Sequence, residues 1–406
     1  MIKIAFIIPR MDEGGMPRVL ETLSMGLPKN LYKQYLIVLM NDKPINYDFS
    51  GEIIQLLSEG KTKFAKINIF FKRAKLLKAL KKNYNFDIVV SFGVTSNILN
   101  VISHNTEKVI MTEHNVKSIE HKSWGLYGRV YNLLIDWYYK KSDCIVTVSS
   151  LIATDLIDNY HVPSAIIKVI YNGIDIDQIA KMSIEISDDI MLNSSRNIDT
   201  NTINIINVGR LSKQKGQWHL IRMMPYILEK NKNVRLFILG NGEYYNRYRD
   251  MITRMDLSKY VFLLGQVKNP FQYVIKARVF AFPSLYEGFS MAFIEAMSLG
   301  IPVVATDCKS GPREVIADEK DYRKRLSDVF QKYGVLVEGD SRTYFLDESV
   351  SLSNEEIKFA DAILSLISDQ NLENHYKKMA FDRAKKFSKQ CMIKSYNDLF
   401  LRLLDE

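Results

Sequence analysis

The chain has 406 residues, 47% hydrophobic and 25% charged, a length and balance that suit more than one ordinary globular core and speak against a disordered chain. Its net charge of +9 is unevenly placed: residues 1–141 hold 21 Lys+Arg against 12 Asp+Glu, and residues 142–406 hold 34 against 34. Three scattered cysteines, Cys144, Cys308 and Cys391, lack the spacing of a zinc site or redox pair, and no run approaches the roughly 20 apolar residues that span a bilayer, so a reducing cytoplasm is expected.

Short β-branched runs then alternate with helical stretches: IKIAFII, QYLIVLM, DIVVSF, KVIMT, CIVTV and KVIYN. Continuous apolar strands of this kind suit a parallel sheet covered on both faces. The first runs into PRMDEGGMPRV, where Gly14-Gly15 lets backbone approach a ligand before a helix starting near Met16 or Pro17. A plain turn uses the same pair, and the full GxGxxG fingerprint is absent.

Residues 61–82, KTKFAKINIFFKRAKLLKALKK, hold nine basic and no acidic residues. Phe70, Ala74, Leu77, Leu76 and Leu80 can share one helical face, and two readings stay open: a helix lying on anionic lipid, or one covering the sheet with its lysines solvated. His114 in MTEHN sits just past a strand, where a lone histidine more often serves structure than chemistry. The alternation stops near Ile176, and the polar stretch that follows reads as a linker over residues 178–201, closing a first domain at residue 177. Asp175-Ile176-Asp177 mimics a metal-binding DxD and is read as linker chemistry.

A second α/β domain is expected over residues 202–384, with strands INIINV, VRLFIL, YVFLL, RVFAF, IPVVAT and YGVLV and helices over 217–230 and 291–299. Its first strand leads into VGRLSKQKG, placing Arg210 and Lys215 on the loop at the strand's carboxyl end, where open α/β sheets bind ligands. Two cations there can grip a diphosphate, Arg by its fork and Lys as a point charge. In FPSLYEGFSMAFIEAMSLGIPVVATD, Glu287 precedes a helix whose first amides, Phe289, Ser290 and Met291, would point at an anion, while Glu295 on that helix can reach a ribose. The terminal helix, about residues 385–406, can pack back on the first domain.

VGRLSKQKG, the EGFSMAFIE block, YNGID and the early Gly-Gly loop together resemble retaining GT-B glycosyltransferases of family 4, over essentially the whole chain. SGPREVI followed by YGVLV resembles the bacterial enzymes that extend polysaccharide or lipid-linked glycans. The resemblance implies two Rossmann-like domains facing each other across a cleft. It implies that Arg210 and Lys215 bind the donor diphosphate, Glu295 the ribose and Glu287 the transferred sugar, with His114 at the donor sugar or reaction centre and Gly15 on the donor-facing loop. Gly240-Asn241-Gly242 and Gly265-Gln266-Val267 resemble the loops bordering the base and do not tell uracil from guanine, while a UDP-sugar is expected as donor ahead of a GDP-sugar. No cofactor and no metal ion are expected. A hexose or N-acetylhexosamine would pass to a glycan or polyprenyl-diphosphate-linked acceptor at the anionic inner face of the plasma membrane. Two departures stand out: GGMPRV replaces the GGAERV of many relatives, and Ala317–Lys332 forms a charged segment of its own. A nucleotide-sugar epimerase of similar fold and a catalytically silent sugar-nucleotide binder remain as alternatives. Nucleic acid is not expected as a partner, because few aromatics interleave with the lysines.

Overall fold

The computed structural model describes the chain apart from residues 13, 41, 57–62, 119–136, 186–200, 309–310, 322–323, 325, 327–328 and 340–348, with backbone only for 63–66. It divides into two compact units, Met1–Gly173 with Lys389–Glu406, and Ile174–Ser388.

The first unit carries seven strands, β1 (Ile2–Ile8), β2 (Tyr32–Val38), β3 (Glu52–Gln55), β4 (Ile88–Phe92), β5 (Lys108–Glu113), β6 (Cys144–Thr147) and β7 (Ile167–Val169). All pair in parallel, in the order β3-β2-β1-β4-β5-β6-β7. The apolar runs are continuous because both faces are covered. Ile4, Phe6 and Ile8 of β1 pack with Leu20 and Leu23 of α1 (Gly15–Gly26), whereas Ala5 and Ile7 pack with Leu77 of α2 (Lys63–Tyr84) and Leu99 of α3 (Val94–Ile102). A further helix, α4 (Ser150–Tyr160), is capped by Ser149, whose side chain accepts from the Ile152 amide. β3 has no counterpart among the expected strands: EIIQ is four residues long and lies at the sheet edge with Glu52, Ile53 and Gln55 exposed, so it has no apolar run to reveal it.

The second unit opens with α5 (Ile176–Ile184), which corrects the expected linker start at residue 178. Asp175 Oδ1 accepts from the Gln178 amide at 3.2 Å, so the apparent DxD motif supplies a helix cap, and Ile179 is buried beneath it. Residues 186–200 of the expected linker lie outside the described residues. Six parallel strands follow, β8 (Ile203–Val208), β9 (Val234–Leu239), β10 (Val261–Gly265), β11 (Val279–Phe282), β12 (Val303–Asp307) and β13 (Val335–Glu338), ordered β10-β9-β8-β11-β12-β13. Between them run α6 (Gln217–Lys230), α7 (Tyr245–Arg254), the short α8 (Phe271–Val274) and α9 (Met291–Ser298); α10 (Asn354–Ser368) and α11 (Gln370–Ala384) come after β13. Ile205, Leu236, Val279 and Val304 from four neighbouring strands share a core with Trp218 and Ile221 of α6 and Phe359 and Ile363 of α10.

The helical tail is broken by a 3-10 turn at Lys385–Phe387, after which α12 (Lys389–Asp405) belongs to the first unit. Met392, Tyr396, Leu399, Phe400 and Leu403 are buried in the β1–α1 core, at spacings that put all five on one face. Each fully buried side chain of this size contributes about 1.5–3 kcal/mol of transfer free energy.

In α2 the sidedness differs from the expected one. Phe70, Ala74, Leu77 and Leu80 face the core, but Leu76 is exposed, and Arg73 and Lys81 are buried. Lys81 pairs with Glu107 at 2.7 Å and donates to the Asn100 carbonyl and side chain; desolvation drags its pKa down to about 8 against the pull of Glu107. One turn of the basic segment is therefore structural.

Candidate active site

A parallel sheet leaves a crevice at the carboxyl ends of its strands where the strand order reverses. In the second unit that point lies between β8 and β11. Asn207 bridges the two strands there, its Nδ2 donating to the Ala281 carbonyl at 2.8 Å. The loops beyond them are joined as well: the Leu285 amide donates to the Gln214 carbonyl at 2.8 Å, and Gln214 Nε2 donates to the Tyr286 carbonyl at 2.9 Å. Gly216 makes this approach possible, because it sits at φ +64° and a Cβ there would lie 2.2 Å from the Pro283 carbonyl oxygen.

The first loop delivers Lys215 and the second delivers Glu287. Lys215 Nζ lies 2.6 Å from Glu287 Oε1, with 19% and 6% of the two side chains exposed. The ammonium also stands over the Phe282 ring, 5.5 Å from its centroid. Three residues past Glu287, Ser290 starts α9 without a side-chain capping bond, so the first amides of the helix keep their attraction for an anion. Phe289 and Ser290 are buried, Met291 is half-buried, and Glu295 is buried within α9. Arg210 stands at the rim: its side chain is 73% exposed, 3.9 Å from an exposed Glu243. Gln217 Nε2, from the buried start of α6, donates to the Arg210 carbonyl at 3.1 Å and steadies that loop. Val267 is half-buried on the loop after β10, and the loop after β9 touches the end of β10, the Gly240 amide donating to the Gly265 carbonyl at 2.8 Å.

What holds α6 in place has no sequence signature. His219 and Arg222 meet Glu356 of α10, with Nδ1 at 2.7 Å and Nε at 2.9 Å from the same carboxylate oxygen, while Glu356 also closes a capping box with Ser353. Burial would push the Glu356 carboxyl up, but hydrogen bonds from His219 and Arg222 outweigh it and hold it at about 2. Cys308, past the end of β12, is not a candidate nucleophile: burial first, then the charges of Glu287 and Asp307, push its thiol well up. Among the described residues no group of three or more His, Cys, Asp or Glu side chains is arranged to hold a metal ion.

The first unit has its own reversal point, between β1 and β4. Gly15 opens α1 at that edge, exposed, with space where a side chain would be. Gly93, just past β4, lies close to Pro9 from the β1–α1 loop and to Met16 in the first turn of α1. His114 follows β5 and stacks on Phe92 of β4, with ring centroids 5.8 Å apart. Lys215 and Glu287 thus meet just ahead of residues 289–291, Glu295 lies further along α9, Arg210 and Val267 sit on the loops after β8 and β10, and Gly15 and His114 lie at the carboxyl edge of the first unit's sheet.

Residues 13–178 match the family model for Glycosyltransferase Family 4, and residues 192–332 match that for Glycosyl transferases group 1. An uncharacterised glycosyltransferase of Methanocaldococcus jannaschii is 32% identical over 335 residues, 79% of this chain and 80% of that protein. The N-acetylgalactosamine-N,N'-diacetylbacillosaminyl-diphospho-undecaprenol 4-alpha-N-acetylgalactosaminyltransferase of Campylobacter jejuni is 30% identical over 395 residues, 96% of each chain. Anabaena HepE, solved in complex with UDP-glucose, superposes with a TM-score of 0.70 at 18% identity, covering 99% of this chain and 100% of that one. The chain is a glycosyltransferase of GT-B architecture. Within that class it belongs to the family that joins a Family 4 amino-terminal half to a group 1 carboxyl-terminal half.

Proposed function

We propose that this glycosyltransferase moves a hexose or N-acetylhexosamine, with retention of anomeric configuration, from a UDP-sugar to a polyprenyl-diphosphate-linked glycan at the inner face of a bacterial plasma membrane. The observation that carries the reading is the Lys215–Glu287 pair at the β8–β11 reversal point, just ahead of the α9 amino terminus. A cation held 2.6 Å from a carboxylate has its charge balanced in place, and a donor diphosphate arriving there gains the cation while the carboxylate turns to sugar hydroxyls. The Campylobacter relative acts on a diphospho-undecaprenol-linked acceptor, and HepE holds UDP-glucose, which favours the donor and acceptor classes chosen here.

In the reaction the bond from the sugar C1 to the β-phosphate oxygen breaks and the acceptor hydroxyl oxygen bonds to C1 on the same face. The hydroxyl proton passes to the departing phosphate oxygen. Negative charge grows on the diphosphate, where Lys215, Arg210 and the amides of Phe289, Ser290 and Met291 meet it. Glu287 orients the transferred sugar, Glu295 the ribose and Val267 the base, and Gly15 and His114 are the first unit's candidates for contact with the donor. The cations at the diphosphate make a metal ion unnecessary, so turnover is expected to survive a chelator.

Membrane attachment would use the outward side of α2. Ile67, Phe71, Lys75, Lys78 and Lys82 fall on one exposed strip at helical spacing, with Lys72 beside it. No helix among the described residues is long and apolar enough to cross a membrane.

The test is a screen of UDP- and GDP-sugars for nucleotide release, with and without a membrane lipid extract. A UDP-sugar whose UDP is released only when the extract is present is the expected result. Release of an epimerised free sugar without acceptor would replace the reading with an epimerase.

A further inference from the structure

The imidazole of His114 is fixed from two sides. It stacks on Phe92, with the planes 29° apart, and its Nε2 lies 3.1 Å from Thr112 Oγ1. Thr112 is fully buried, and its Oγ1 also lies 2.9 Å from the Ser91 carbonyl oxygen on the neighbouring strand. A hydroxyl carries one hydrogen and a carbonyl can only accept. The Thr112 hydrogen therefore goes to Ser91, and its oxygen meets Nε2 with a lone pair. Both contacts are satisfied only when Nε2 carries a hydrogen, and in a neutral ring this leaves Nδ1 as the acceptor.

We propose that Thr112 is a positioning residue that locks His114 in its Nε2–H tautomer, so that Nδ1 accepts a hydrogen bond from a hydroxyl of the donor sugar. The proposal rests on His114 contacting the donor. It goes beyond that contact by assigning its direction: the protein accepts and the sugar donates. The surroundings keep the ring neutral. Burial, and then the Lys117 ammonium, depress the His114 pKa to about 4, and Lys117 is itself pinned 2.8 Å from Glu113. Glu113 is held in turn by Asn97 Nδ2 at 2.8 Å and the Tyr139 hydroxyl at 2.7 Å, so the partner of the Lys117 ammonium is itself fixed. An imidazolium would present two N–H groups and no acceptor; a ring with its hydrogen on Nδ1 would set two lone-pair carriers, Nε2 and Thr112 Oγ1, against each other.

The tautomer is read directly by nitrogen NMR of the full chain labelled at histidine, with the His114 signals assigned by their loss in His114→Gln. In wild type and Thr112→Ser, Nε2 is expected to bear the hydrogen and Nδ1 the lone pair; in Thr112→Val the preference is expected to be lost. Donor kcat/KM with a UDP-sugar turned over by the wild type should fall about tenfold in Thr112→Val, the worth of one neutral hydrogen bond, and recover in Thr112→Ser. A hydrogen on Nδ1 in wild type, or an unchanged tautomer in Thr112→Val, overturns the proposal. If the tautomer is as stated but His114→Gln turns over donor like wild type, the tautomer lock stands as structure, and it is the donor contact, with the function assigned to the lock, that falls.

Discussion

Lys215 has its charge balanced by Glu287 at 2.6 Å, so the proposed donor diphosphate would compete with a carboxylate for the same ammonium. If Lys215 holds the donor diphosphate as proposed, its contribution is largest in the transition state, because charge on the diphosphate grows along the reaction. Lys215→Ala is expected to lower kcat on the order of 100-fold with a smaller change in donor KM, and Glu295→Ala to raise donor KM roughly tenfold with kcat nearly kept, as steady-state kinetics would show. Unchanged kinetics in both variants would remove the site assignment. Because Lys215→Ala alone strands a buried carboxylate, the pair Lys215→Ala with Glu287→Gln separates lost catalysis from lost folding. Gly216→Ala tests the loop itself: the left-handed backbone and the 2.2 Å approach to the Pro283 carbonyl should cost about 2 kcal/mol in a denaturation midpoint. At this scale VGRLSKQKG and EGFSMAFIE were legible because both sit at strand ends with a charge pattern of their own. The ring partners of His114 were not, since Thr112 reads as one more strand residue and only the register with Ser91 brings the three groups together.

Among the elements, α6 depends on a contact its own sequence does not announce. His219 and Arg222 are 137 and 134 positions from Glu356, and the hydrogen bonds they make hold that carboxyl at about 2. A carboxyl whose folded pKa lies below its unfolded value stabilises the fold above the unfolded pKa and loses that contribution as pH falls through the folded one. The Glu356 share, roughly 3 kcal/mol, should therefore be present at neutral pH and drain away between about pH 4.5 and 2. Glu356→Gln should flatten that part of a stability-versus-pH curve, and a variant curve parallel to wild type would count against the assignment. For α2, replacing Lys72, Lys75 and Lys78 with Gln should reduce sedimentation with anionic vesicles severalfold and leave nucleotide binding intact, with attachment weakening as salt shortens the Debye length to about 8 Å. Equal sedimentation of variant and wild type would leave α2 a covering helix only. Arg73 is kept in this variant because it is buried. Composition exposed the charge of α2 but not its sidedness: Arg73 and Lys81 turn inward while Ile67, Phe71 and Leu76 turn out, an inversion that periodicity alone cannot assign.

The molecule as a whole was legible through its strands, because a parallel sheet buried on both faces leaves continuous apolar runs that stand apart from helix periodicity. Among the described residues, twelve runs announced twelve of the thirteen strands; β3, a polar edge strand, had no such run. The point where the second unit begins was less visible, because α5 carries one buried isoleucine, Ile179, and an aspartate cap rather than a sustained stripe. The central claim is transfer of one sugar from a nucleotide donor to a lipid-linked glycan with its configuration kept. Its most direct test is to incubate the enzyme with a UDP-α-sugar and a polyprenyl-diphosphate-linked saccharide and to determine the mass and anomeric configuration of the lipid product. One added sugar in α linkage, with one UDP released per transfer, is the predicted result; a β linkage, or an unchanged lipid beside an altered free sugar, would contradict it.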